Sequence, residues 1–125
     1  MLKRFILILL VCLLSVITCI AKGQLQEVNT AEDNVFLYLY TKDCHYCTQV
    51  QPVFNKIKKK YENKVKFIKM NANLPDGFTL MTKFKATYVP FVVLISNKSR
   101  QYIEIPTQCL IEYACVDHFV DSFTK

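Results

Sequence analysis

Cys44-His45-Tyr46-Cys47 constrains this chain more than any other stretch of it. Two cysteines separated by two residues can close a small disulfide and reopen it, provided the backbone holds both at one end of a rigid element. The flanks say which element. An apolar, β-prone run, Val35-Phe36-Leu37-Tyr38-Leu39-Tyr40, leads into the motif through Thr41-Lys42-Asp43, and a helical pattern follows. The motif therefore opens a helix directly after a strand. A thiol placed there lies among N–H groups that have no helical partner, at the positive end of the helix dipole, and its thiolate is stabilised. The thiolate is the form that attacks disulfides.

The helix predicted from the motif runs from about His45 to Tyr61. Val50, Val53, Phe54, Ile57 and Tyr61 recur at helical spacing and form one core-facing stripe, with Lys56, Lys58, Lys59 and Lys60 mostly off it. Pro52 interrupts that helix and predicts a kink. Val65–Met70 reads as a second strand, Asn71–Gly77 as turn, and Phe78–Phe84 as a short helix. Val89-Pro90 precedes a third strand at Phe91–Ile95. Ser96-Asn97-Lys98-Ser99 turns the chain back into a strand at Gln101–Ile105, and Leu110–Phe123 is the last helix. The order is β-α-β-α-β-β-α. A right-handed crossover makes the first two strands parallel, and the hairpin adds antiparallel ones. The near-continuous apolarity of Val35–Tyr40 marks it as a central strand covered on both faces.

The N-terminus is of another kind. Met1-Leu2-Lys3-Arg4 is a basic start, and Phe5 through Ile20 is apolar or small throughout. This is the form of a secretory signal peptide cleaved after Ala21, so residues 1–21 are assigned to it. The apolar run falls just short of the roughly 17–25 residues that span a bilayer. An uncleaved anchor, tethering the chain to a membrane through residues 5–20, is the alternative. Residues 22–34 form a polar lead-in, and 35–125 form the domain. Loss of Cys12 and Cys19 with the leader leaves Cys44, Cys47, Cys109 and Cys115, an even set that suits an oxidising compartment. The net charge of +6 comes largely from lysines around one helix–strand corner, Lys56 to Lys69. These read as a solvated face. A nucleic-acid surface would interleave aromatics with a basic groove, and none is expected.

With these elements in place the chain resembles the thioredoxin superfamily over roughly residues 35–123. Three features carry the resemblance: the Cys44–Cys47 motif at a strand-to-helix junction, Pro52 within the following helix, and Val89-Pro90 ahead of the hairpin. The resemblance implies an α/β thioredoxin-like fold, a central mixed β-sheet flanked by helices. It implies that Pro90 is cis and that the Val89 backbone pairs with a client chain. It also implies that Cys44 is the exposed nucleophile and Cys47 the buried resolving thiol. Some positions depart from the family pattern. Asp43 stands where many members have Trp, and Tyr38 where they have a buried Asp. Lys69 matches that Asp's usual partner. His-Tyr is not the dipeptide of the reducing, oxidising or isomerising members.

The reading is an extracytoplasmic thiol–disulfide oxidoreductase, monomeric, acting on cysteines of other proteins and recharged by a redox partner protein. No metal and no organic cofactor is expected. A periplasmic location fits the short leader, with a eukaryotic secretory lumen as the alternative. A non-catalytic binding or assembly module with a locked disulfide is the rival function. Protonated His45 would stabilise the Cys44 thiolate and make the disulfide more oxidising, while Asp43 would oppose this, so the redox direction stays open. Tyr46 reads as client-contacting surface or as filler of the turn. Cys109 and Cys115 are either a second disulfide, which requires Cys109 to precede the last helix, or two separate thiols. With His118 they do not make zinc-ligand spacing.

Overall fold

The longest β-prone apolar run occupies the centre of the sheet. In the computed structural model, which describes residues 1–9 and 34–125, strand β1 spans Asn34–Tyr40 and has a paired neighbour on each side. Successive side chains of a strand point to opposite faces. Phe36 and Tyr38 accordingly enter one core cluster, and Val35, Leu37 and Leu39 enter another. Helices cover both clusters, and this is why the run needs no polar alternation.

The elements that follow are α1 (His45–Tyr61), β2 (Lys66–Asn71), α2 (Pro75–Lys83), β3 (Phe91–Ser96), β4 (Gln101–Ile105), a 3-10 turn (Thr107–Cys109) and α3 (Tyr113–Phe123). The four strands form one sheet in the order β2-β1-β3-β4. β2 lies parallel to β1, whereas β3 and β4 run antiparallel to their neighbours. The fold is α/β, a mixed sheet between helical layers. Helix α1 buries Val50, Val53, Phe54, Ile57 and Tyr61, and the Phe54 ring lies 5.7 Å from Phe36 and 5.3 Å from Tyr38. Full burial of such side chains supplies about 1.5–3 kcal/mol each. Lys56, Lys58, Lys59, Lys60, Lys64, Lys66 and Lys69 are all exposed. Helix α1 continues through Pro52. Pro52 offers no N–H to the Thr48 carbonyl, but both residues are exposed, so solvent can satisfy that oxygen.

Several boundaries differ from the sequence reading. Asn34, assigned to the lead-in, is the first residue of β1 and pairs with Ser96. β2 starts and ends one residue later than Val65–Met70. Helix α2 begins at Pro75, inside the stretch assigned to turn. Proline is favoured at a first helical position, Asp76 adds a first-turn acid, and these outweigh the turn composition. Gly77 is buried there because a Cβ would collide with the Asn71 carbonyl at the end of β2. Helix α3 begins at Tyr113 rather than Leu110. The chain between takes a 3-10 turn and buries Leu110, and Cys109 bonds to Cys115 across it.

Residues 2–9 are helical and exposed. The expected cleavage point after Ala21 and the lead-in up to residue 33 lie outside the described residues. Among the described residues no helix is long and apolar enough to cross a membrane.

Candidate active site

Cys44 is the N-cap of α1. Its backbone is extended (φ −81°, ψ 105°), and its Sγ accepts a hydrogen bond from the Cys47 amide at 3.0 Å. Sulfur here does what a Ser or Asp oxygen does at most helix starts. No acidic residue stands in the first turn, while Lys58, Lys59 and Lys60 stand in the last. The dipole is thus complemented at its negative end and left open at its positive end, where a thiolate gains most.

Cys44 and Cys47 are joined as a disulfide with Cα atoms 5.2 Å apart. Cys44 is half-buried, and Cys47 is only 5% exposed. An incoming sulfur can therefore reach Cys44 far more readily than Cys47. The flanking Asp43 and His45 are both exposed, with side chains towards solvent rather than into the core.

Beneath the disulfide lies Tyr38, fully buried on β1, whose hydroxyl donates to the Cys47 carbonyl at 3.2 Å. Burial, reinforced by Tyr40, pushes its pKa up to about 12. A phenol so poised stays neutral and cannot take the proton of a cysteine near neutral pH. An open cleft of about 330 Å³ runs beside it, lined by Tyr38, Tyr40, Cys44, Cys47, Gln51 and Lys69, among others. Lys69 Nζ sits over the Tyr40 ring at 4.4 Å and donates to the Gln51 Oε1 atom. Among the described residues no carboxylate lines this cleft, and Lys42 and Lys69 are its charged groups.

The Val89-Pro90 peptide bond is cis, with Pro90 buried and Val89 half-buried. Leu39 pairs with Phe91, so Pro90 lies at the same end of the sheet as the loop into the motif. Thr41 links the two parts. It lines the cleft of the disulfide on one side, and on the other a groove of about 510 Å³ that it shares with Phe78, Tyr88 and Val89.

Cys109 and Cys115 are also joined, with Cα atoms 5.5 Å apart, and Cys109 stands ahead of α3 in the 3-10 turn. His118 is exposed on α3. Among the described residues no group of three or more His, Cys, Asp or Glu side chains is placed to hold a metal ion. Tyr46 turns inward, and its hydroxyl donates to the Thr107 carbonyl at 3.3 Å. Sequence reasoning did not single out Thr107, which is 61 residues away and carries no local motif.

Residues 25–109 match the family model described as TraF, F plasmid transfer operon protein. The chain belongs to the TraF family. The match takes in β1, the Cys44–Cys47 motif, Pro90 and the hairpin, and ends at the first cysteine of the second disulfide. No curated protein matches the chain. Solved structures similar to this TraF-family chain include three thioredoxins. One, from Malassezia sympodialis, has a TM-score of 0.59 at 18% identity, covering 82% of this chain and 88% of that one. The germline-specific Deadhead of Drosophila melanogaster has a TM-score of 0.60 at 16% identity, covering 82% and 92%. A mutant thioredoxin from Halobacterium salinarum has a TM-score of 0.63 at 18% identity, covering 82% and 85%. At these identities the likeness is one of fold, and the fold is thioredoxin-like.

Proposed function

We propose that this chain is an exported thiol–disulfide oxidoreductase that exchanges disulfides with cysteines of other proteins. The observation that carries the reading is Cys44 itself: a half-exposed sulfur that caps a helix and is bonded to a buried one three residues on. A client thiolate attacks Cys44 Sγ, and Cys47 leaves as a thiolate at the helix start. A second client thiolate then attacks the client sulfur of the mixed disulfide, and Cys44 departs with the electron pair. The client gains a disulfide, and Cys44 and Cys47 become a dithiol. Run backwards, the same steps reduce a client. Val89 and Pro90 would border the client chain, and a redox partner protein would restore the starting state.

Export is supported by the apolar leader-like stretch, by the even cysteine set beyond it, and by a family described by plasmid transfer, an operation that crosses the cell envelope.

Insulin reduction and refolding of scrambled ribonuclease, run on wild type and on Cys44→Ser, test the activity. The expected result is turnover by wild type alone. Cys47→Ser should accumulate mixed disulfides through Cys44, and equal inactivity of all three proteins with no adduct would remove the enzyme reading.

One observation favours a second reading, a non-catalytic assembly module on the same scaffold. The interior group beside Cys47 is Tyr38, which takes no proton near neutral pH. Alkylation trapping in the native compartment decides: a module holds Cys44–Cys47 permanently bonded, whereas an oxidoreductase shows a dithiol fraction.

A further inference from the structure

Thr107 contacts the dipeptide between the motif cysteines although it lies 61 residues further along the chain than Tyr46. Its carbonyl accepts from Tyr46, the residue before Cys47, at 3.3 Å. Nearby, Tyr88, the residue before Val89, donates its hydroxyl to Glu104. Thr107 thus braces the dipeptide between the cysteines.

The brace is itself held. Thr107 opens the 3-10 turn, its carbonyl also accepts from the Leu110 amide at 3.1 Å, and Cys109 accepts from Glu112. The Cys109–Cys115 disulfide ties this turn to the first turn of α3, with Cys109 only 4% exposed. Without that bond, no cross-link would hold the short turn against α3, and Thr107 could move away from Tyr46. A second disulfide in a small domain ordinarily restricts the unfolded chain. This one is also connected, through a single hydrogen-bonded contact, to the residues between the redox cysteines.

We infer that Thr107, pinned by the Cys109–Cys115 disulfide, is a positioning residue for the Cys44–Cys47 couple, so that the second disulfide sets the redox poise of the first. The Tyr46 bond is present with Cys44–Cys47 closed. We assign the bond to the closed form, so that its loss destabilises that form relative to the dithiol, shifts the couple towards the dithiol and makes it more oxidising. The role in turnover rests on the oxidoreductase reading; the effect on the equilibrium does not.

The test is the equilibrium of Cys44–Cys47 with glutathione, followed by mass after alkylation so that the two disulfides are counted separately. Tyr46→Phe should shift that equilibrium towards the dithiol by about threefold to tenfold, the worth of one partly buried hydrogen bond. The double variant Cys109→Ala/Cys115→Ala should shift it the same way. Tyr46→Phe added to it should shift it little further, because both changes cut one connection. Unchanged equilibria, or shifts that multiply, overturn the proposal. If the cysteine variant fails to fold, Tyr46→Phe alone decides, since its ring and backbone are retained. A shifted equilibrium with no turnover of any client would uphold the positioning role and remove the enzyme reading.

Discussion

The hydroxyl of Tyr38 donates to the carbonyl oxygen of Cys47 at 3.2 Å, joining the central strand to the first turn of the helix that carries the motif. Both residues are buried, so the bond is sheltered from competing water. Tyr38→Phe keeps the ring packing and removes the bond, at a cost of about 1 kcal/mol in urea unfolding near pH 8. The folded pKa of about 12 lies above the ordinary 10. Between those values the unfolded chain binds fewer protons than the folded one, so stability falls as pH rises from 10 to 12. That alkaline decline should be shallower in Tyr38→Phe, and an unaltered slope would show that another group causes it.

Lys69 brings a positive charge to the cleft that Cys44 and Cys47 both line. It is exposed, so its field on the sulfurs is partly screened. Lys69→Gln should slow alkylation of the reduced Cys44 at pH 6 by about twofold to threefold, as expected for loss of one nearby charge. The difference should shrink in 1 M salt, where the screening length is about 3 Å. An equal effect at low and high salt would point to packing against Tyr40 as the cause.

Helices α1 and α3 are clipped together by three groups. Asp117 accepts from Lys60 at 2.8 Å and from the buried Tyr61 hydroxyl at 2.8 Å. Lys60, then Tyr61, holds the Asp117 carboxyl below its ordinary value. A depressed carboxylate adds stability that is present above the unfolded pKa of about 3.8 and is lost as pH falls through the folded one. Asp117→Asn should remove that part of the acid-induced loss below about pH 4, as read by unfolding midpoints from pH 2 to 6. Tyr61→Phe should cost about 1 kcal/mol at pH 7, because its partner there is charged but partly in solvent.

Gly77 packs its α-carbon side against the Asn71 carbonyl, where α2 meets the end of β2. The obstacle is backbone, which cannot rotate away. Gly77→Ala should therefore destabilise the fold by about 1–3 kcal/mol, although alanine is the better helix former. Thermal unfolding of the two proteins checks this, and a gain in midpoint would show that the helix shifts freely.

What the sequence made legible was whatever local pattern dictates. β1 was readable because burial on both faces leaves an unbroken apolar run, and α1 because its stripe recurs at helical spacing up to Tyr61. The helix-start placement of Cys44 followed from those two. The start of α2 was not readable: Asn71 to Gly77 has the composition of a turn, yet Pro75, Asp76 and Gly77 also suit a helix start packed tightly on a strand. The late start of α3 depends on a bond between Cys109 and Cys115 whose pairing no spacing dictates. The contacts of Tyr38 with Cys47 and of Tyr46 with Thr107 join residues far apart in the chain, and only the folded geometry brings them together.

Because the sulfur proposed to carry the exchange doubles as the cap of α1, chemistry and architecture would meet in one atom. On the proposed reading, a mixed disulfide would fasten a client to the end of the helix itself. A descendant that abandoned exchange could not accept any small residue in place of Cys44 without unravelling its opening turn. Ser, Thr, Asn or Asp would keep the turn shut, whereas alanine would lose the thiol and the cap together.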